Sequence, residues 1–145
     1  MVEQLNVTKT ITVDADQAWA AISGIGGLDR WFPIITDCTV FGTGEGATRI
    51  LTLADGAKIK DRIEAIDHQH RRLRYNRTES PFPVRSYLGT VEVRHVNDGT
   101  AEVSWTLEID VQEDQRDALV ELLRNALTDG IQGLEQDLQQ SPIAC

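Results

Sequence analysis

The sequence predicts an α+β domain in which a curved antiparallel sheet of seven strands wraps around one long C-terminal helix, with two short helices between the first and second strands. Six consecutive strand-like segments, separated by turn residues, follow the short helices. An amphipathic segment, Glu113–Gln139, comes after the last strand; as a helix it is roughly 40 Å long, about the length of the sheet. The chain of 145 residues suits one domain, residues 1–145.

Composition argues against two classes of partner. The formal net charge is −9, and no basic stripe is present that could neutralise nucleic-acid phosphates or bind an anionic membrane. No apolar run approaches the ~20 residues that span a bilayer, so membrane insertion is not expected. The first residues lack the basic and apolar regions of a signal peptide. The cytoplasm is therefore the expected location. A monomer or a weak homodimer is also expected.

The first part of the chain contains one strand and two short helices. Val2–Val13 is rich in alternating β-branched residues, which predicts the first strand. Two acidic residues then open a helix over Gln17–Ser23, and a glycine-rich stretch ends it. A second short helix, Leu28–Phe32, stops at Pro33.

The other elements follow from alternation and turn residues. The further strands are expected at Ile34–Phe41, Ala47–Leu53, Ala57–Asp67, Arg71–Thr78, Arg85–Val96 and Ala101–Val111. The final helix has an apolar stripe of Leu119, Leu122, Leu123, Ala126, Leu127, Leu134 and Leu138. Gly130 and Gly133 each cost this helix ~1 kcal/mol relative to alanine. Either they make room for a ligand or a close strand, or they loosen the helix end.

Asp61 conflicts with the pattern of its own strand. In Ala57–Ala65 the charged residues occupy the even positions, and the odd positions are apolar except for Asp61. Successive strand side chains point to opposite faces, so this carboxylate shares a face with Ile59 and Ile63. Burial of a carboxylate is costly unless it is paired with a positive charge, hydrogen-bonded or hydrated. The face is therefore either the site of a structural ion pair or the wall of a cavity.

The turn at Gly56 fixes the register of the strands on either side. Residues that pair directly across a sheet share a face, and the inward residues of both strands carry odd numbers. This parity excludes a two-residue loop and selects a three-residue loop with Gly56 in the left-handed conformation. The resulting pairs are Leu53 with Ala57, Leu51 with Ile59, and Arg49 with Asp61. The same reasoning predicts a three-residue loop at Asn97–Gly99.

Several motifs together resemble a known family. They are Trp31–Pro33, Gly46–Arg49, Asp55–Gly56, Asp61–Ile63, Asp67, Leu73–Tyr75, Pro81–Pro83, Tyr87 and Val103–Trp105. With the order of elements, they are similar to the bacterial polyketide cyclase/dehydrase and lipid-transport family of the START and birch-pollen-allergen-like (SRPBCC) superfamily, which has the helix-grip fold. The resemblance implies an apolar cavity between the sheet and the last helix. The family usually has a glutamate pointing into that cavity at the position of Asp61, so this chain is one methylene shorter there.

The alternation and the resemblance together give an expected set of ligand-binding residues. They are Arg49, Leu51, Leu53, Ile59, Asp61, Ile63, Leu73, Tyr75, Phe82, Tyr87, Val91, Trp105, Leu107, Leu123 and Leu127. Arg77 follows Tyr75 in the same alternation, and its orientation is left open. Asp61, Arg49 and Tyr87 are the catalytic candidates; orienting a ligand, acid–base chemistry and a purely structural role all stay open for them. No metal-ligand spacing or cofactor motif is visible, and no cofactor is expected.

Two functions are compatible with these observations. The first is binding or transport of a small hydrophobic molecule, such as a lipid, sterol, polyketide or isoprenoid, in the internal cavity. The second is a polyketide aromatase/cyclase or dehydratase that uses the same cavity, so enzymatic activity stays open. Both require space for a ligand, and an internal cavity smaller than ~150 Å³ would contradict both.

Overall fold

Seven strands form one antiparallel sheet, and a long helix lies against it. The structure, a computed structural model, describes residues 2–140. Its elements are β1 Val2–Ile11, α1 Ala15–Ser23, α2 Leu28–Trp31, β2 Ile35–Phe41, β3 Thr48–Leu53, β4 Lys58–Asp67, β5 Arg72–Glu79, β6 Val84–Asn97, β7 Thr100–Val111 and α3 Glu113–Gln140. The predicted fold class is confirmed, and the predicted boundaries agree to within two residues.

The sheet order is β1-β7-β6-β5-β4-β3-β2. Consecutive strands pair with each other from β2 to β7, and β1 forms the edge beside β7. The buried side of α3 comprises Leu119, Leu123, Leu127, Gly130, Ile131 and Leu134. The predicted stripe was wrong at Leu122, which is 48% exposed because it lies at the border of the buried side, and it omitted the fully buried Ile131. None of the helices in residues 2–140 is long and apolar enough to cross a membrane.

The β3–β4 hairpin has the predicted register. Arg49 lies opposite Asp61, and Leu51 lies opposite Ile59. The backbone N–H of Leu53 donates to the carbonyl oxygen of Ala57 across the loop, at 2.9 Å. Gly56 has φ 89°, the left-handed conformation that the three-residue loop requires.

The β6–β7 turn differs from the prediction. Asn97 pairs with Thr100, so the loop has two residues, Asp98 and Gly99, rather than three. A bulge between His95 and Asn97 takes up the extra residue. Beyond the bulge the strands keep the register that a three-residue loop would give, with odd-numbered residues on the buried face.

The two glycines of α3 allow α2 to pack closely. A Cβ atom at Gly130 would come within 2.2 Å of the Phe32 ring, and one at Gly133 would come within 2.0 Å of the carbonyl oxygen of Trp31. Both positions face α2 and its last turn. The glycines therefore make room for a neighbouring helix, which neither of the two sequence-based explanations had named.

We predict that Gly133→Ala destabilises the protein although alanine is the better helix former. The methyl group meets the backbone of Trp31, which cannot rotate away, and overpacking of this kind costs about 1–3 kcal/mol. That cost outweighs the ~1 kcal/mol gained in helix propensity. Urea unfolding measures the change, with Glu121→Ala on an exposed part of α3 as the control. A stabilised Gly133→Ala protein would contradict the packing described here.

Candidate functional site

A buried carboxylate is shared by two arginines. Asp61 is fully buried, and Nε and Nη2 of Arg49 donate to its Oδ2 at 3.0 and 2.9 Å. Arg77 donates from Nε to Oδ1 at 2.7 Å and from Nη2 to Oδ2 at 3.2 Å. The side chains of Arg49 and Arg77 are 3% and 8% exposed. We call these three residues the Arg–Asp–Arg cluster.

Strand pairing brings the cluster together. Asp61 on β4 lies directly opposite Arg49 on β3 and opposite Arg77 on β5, so the three side chains share the inner face. Nη1 of Arg49 also donates to the carbonyl oxygen of Ile25, at 3.1 Å. Ile25 has φ 62°, a conformation that is strained for a β-branched residue. The cluster thus fixes the loop between α1 and α2 as well as three strands.

Aromatic rings flank both guanidinium groups. The guanidinium carbon of Arg77 lies 4.4 Å from the Tyr87 ring centroid and 5.5 Å from that of Tyr75, while that of Arg49 lies 5.0 Å from Tyr75. These distances permit cation–π attraction, which partly replaces the lost hydration of the arginines.

Tyr75 is held in place from two sides. It lies opposite Gly89 on β6, and a Cβ atom there would come within 2.1 Å of the Tyr75 ring. The Tyr75 hydroxyl accepts a hydrogen bond from Nε1 of Trp105 at 3.1 Å. Gly89 therefore provides the space in which the phenol ring lies beneath the two arginines.

The charge states of the cluster follow from its surroundings. Burial opposes ionisation of Asp61, but Arg77 and Arg49 outweigh it and hold the pKa of this carboxyl below its usual range. Burial raises the pKa of both Tyr75 and Tyr87, so the two phenols are neutral at pH 7. Asp61 is accordingly an ionised acceptor with both oxygens bonded, an arrangement that does not suit a proton donor.

A small internal cavity lies beside the cluster. Its volume is about 40 Å³, and eight predicted ligand-binding residues line it: Leu53, Ile59, Tyr75, Phe82, Tyr87, Trp105, Leu123 and Leu127. The rest of its wall is formed by Leu28, Phe32, Ile34, Ile35, Arg77 and Ala126. Arg77 is the one charged residue in this wall, and only its place in the alternation could have pointed to it. The volume is below the ~150 Å³ limit given above, so the expectation that the ligand lies within the internal cavity, which both functions shared, is wrong.

Seven predicted ligand-binding residues do not line the cavity. They are Arg49, Leu51, Asp61, Ile63, Leu73, Val91 and Leu107, all of which are buried. On the same sheet, α1 packs against β6 and β7. Of the two settings left open for Asp61, the structure has the ion pair, and Arg77 is the charged residue in the cavity wall.

A larger apolar cleft opens next to the cavity. Its volume is about 520 Å³, and it is lined by Ile34, Leu53, Ala54, Asp55, Phe82, Leu122, Asn125, Ala126 and Asp129. We call it the mouth cleft. Four residues line both the mouth cleft and the cavity: Ile34, Leu53, Phe82 and Ala126. These four apolar side chains form the boundary between the two spaces.

The histidines contribute to local structure. Nδ1 of His68 accepts a hydrogen bond from Nε1 of Trp19 at 3.1 Å, and His70 lies 2.7 Å from Asp67. Within residues 2–140, no group of His, Cys, Asp or Glu side chains has an arrangement that could hold a metal ion.

Comparison with known proteins identifies similar chains. The model of a family described as polyketide cyclase/dehydrase and lipid transport matches residues 3–139. Comparison with curated proteins gave no match. The protein XoxI of Bacillus cereus is 26% identical with a TM-score of 0.84, over 94% of this chain and 95% of that one.

Two enzymes share the fold at lower identity. An aromatase/cyclase from Streptomyces has a TM-score of 0.85 at 14% identity, over 99% of this chain and 98% of that one. Norcoclaurine synthase of Thalictrum flavum, in complex with dopamine and hydroxybenzaldehyde, has a TM-score of 0.79 at 18% identity, over 97% of this chain and 88% of that one. At these identities the likeness concerns the fold alone.

We predict that Asp61→Asn lowers the free energy of unfolding by about 3–5 kcal/mol. The substitution leaves two buried guanidinium groups without their shared carboxylate. Chemical denaturation measures the loss, and Asp37→Asn at an exposed position of β2 is the matched control. If the two variants were equally stable, the cluster would not hold the strands together.

Stability should also depend on acid pH through Asp61. Its pKa is lowered in the folded state, so its contribution is fully present above the ordinary aspartate pKa of 3.8. The contribution declines as pH falls below that value and is lost once pH has fallen through the folded-state pKa. Unfolding curves between pH 7 and acid pH test this by comparing the wild type with Asp61→Asn. If the difference in stability between them did not shrink on acidification, the proposed linkage would be wrong.

Proposed function

The chain belongs to the polyketide cyclase/dehydrase and lipid-transport family, and we propose that it binds a small hydrophobic molecule such as a lipid, sterol, polyketide or isoprenoid. The apolar body of the ligand lies in the mouth cleft, and one end reaches the internal cavity. The observation that carries this proposal is the shared boundary: the same four apolar residues line both spaces. The cleft's volume of about 520 Å³ falls within the usual range of ligand pockets.

Phe82 is the residue best placed to control passage between the cleft and the cavity. It lies between β5 and β6, and its side chain lines both spaces. Its backbone N–H donates to the Ser80 hydroxyl, and its carbonyl accepts from Val84. A change of rotamer moves the ring without breaking these backbone contacts. We therefore expect the ligand to displace the Phe82 ring when it enters the internal cavity.

The cyclase or dehydratase alternative has less support in the geometry. Acid–base catalysis needs a group that can exchange a proton with the substrate, yet both oxygens of Asp61 are engaged by arginines. Arg49 is bonded to Asp61 and to a backbone carbonyl. Tyr87 lines the cavity, but about 40 Å³ leaves no room for a folded polycarbonyl chain. Binding is the function that these contacts favour.

We predict that the purified protein binds the neutral dye Nile red saturably and that Ala126→Trp weakens this binding at least about tenfold, or ~1.4 kcal/mol. The larger side chain fills the boundary between the mouth cleft and the cavity. Ala20→Trp, at an exposed position of α1, controls for the added indole and should bind like the wild type. Fluorescence titration gives the affinities, and native mass spectrometry checks for a co-purifying molecule. No saturable binding by the wild type would overturn the proposal.

A further inference from the structure

The buried cluster contains more positive than negative charge. Two guanidinium groups share one carboxylate, and Asp61 is the only acidic residue bonded to either of them within residues 2–140. Tyr75 and Tyr87 do not balance the charge, because burial raises their pKa and keeps the phenols neutral. The cluster therefore has a net charge of about +1 in the interior, where a charge is far more costly than in water.

The excess charge lies at the cavity. Arg77 uses Nε and Nη2 for Asp61, and its Nη1 donates to no residue in the described part of the chain. Within residues 2–140, no completely buried side-chain nitrogen or oxygen lacks a hydrogen-bond partner. Nη1 of Arg77 has none, so it is accessible to a water-sized group. The other residues of the cavity wall are apolar or aromatic. Arg77, which lines the cavity, thus keeps one guanidinium donor that no described residue occupies.

We propose that the ligand is an anionic amphiphile whose carboxylate or equivalent acidic oxygen enters the cavity and pairs with Arg77, while its apolar body fills the mouth cleft. This inference rests on the proposed function and specifies its ligand class. The cavity volume of about 40 Å³ suits a group that is little larger than a water molecule. An arginine donor is also well matched to a carboxylate acceptor.

Charges outside the cavity act against an anion. The chain has a net charge of −9, and Asp55 and Asp129 line the mouth cleft. Interactions between exposed charges are screened over about 8 Å at physiological ionic strength, whereas a buried charge is screened much less. The preference for an anion is therefore determined by contact with Arg77 in the bound state, not by long-range attraction. Added salt should not abolish this preference.

The test compares two ligands that differ only in the head group. Decanoate and decan-1-ol compete with Nile red for the wild-type protein at neutral pH. A carboxylate accepts a stronger hydrogen bond from a guanidinium group than a hydroxyl does, so we expect decanoate to bind about tenfold or more tightly than the alcohol. Equal affinities, or tighter binding of the alcohol, would overturn the anion proposal and leave the proposed function intact. No displacement of Nile red by either compound would also overturn the anion proposal, whereas the proposed function fails only if Nile red itself does not bind saturably.

Variants of Arg77 test whether its charge determines the preference for decanoate. Arg77→Met leaves Arg49 and Asp61 as a balanced pair, and it should bring the decanoate-to-decanol ratio to about one or below. Arg77→Lys keeps the charge and should keep the preference. Arg74→Met, on an exposed position of the same strand, should behave like the wild type. If Arg77→Met kept the wild-type ratio, Arg77 would not be the anion partner.

A measurement on the wild type makes the test independent of how the variants fold. Decanoate labelled with ¹³C at the carboxyl carbon reports its ionisation through the chemical shift. When bound beside Arg77, with Arg49 and Asp61 behind it and the neutral Tyr75 and Tyr87 around it, its pKa should be lower than that of free decanoate. A bound pKa equal to or higher than the free value would place the carboxylate away from the guanidinium group and would overturn the proposal.

Discussion

The interior of this protein is organised around one carboxylate that two guanidinium groups share. Asp61 ties β3, β4 and β5 together through Arg49 and Arg77, and Arg49 extends the connection to the strained backbone at Ile25. Isolated ions of this kind would be expelled from an apolar core, so each depends on the other two. The rings of Tyr75 and Tyr87 stabilise the two arginines by cation–π contact, and Gly89 leaves the space that the Tyr75 ring needs.

One of the two ion pairs in this cluster can be predicted from the sequence and the other cannot. Parity at a three-residue turn is enough to place Arg49 opposite Asp61. The next turn pairs Asp67 with Arg72, and an unbroken ladder from there would carry Asp61 opposite Thr78. A bulge within β4 shifts the register by one residue, and Asp61 meets Arg77 instead. No turn residue marks that bulge, so the sequence leaves open both the orientation of Arg77 and its partner.

The cavity shows another limit of patterns read from sequence. Alternation tells which strand residues face α3, and it correctly places Ile63 and Leu107 on the inner side. It does not tell how far the helix stands from the sheet at each residue. Nor does it predict close contacts between helices, such as that of Gly133 on α3 with the Trp31 backbone on α2. Large inward side chains, Arg77 and Tyr87 among them, line what space is left. Wall residues can therefore be predicted as a set, while the enclosed volume cannot.

The second arginine is difficult to explain by stability alone. Arg49 and Asp61 already form a balanced pair, and even balanced buried pairs contribute little compared with well-packed apolar residues of the same volume. Adding Arg77 introduces a charge without a counter-ion, which cation–π contact with Tyr87 offsets only in part. A residue that served packing alone would be as effective without the charge. Arg77 also lines the internal cavity, which shares four wall residues with the mouth cleft, so the acidic group of the ligand proposed above would balance its charge.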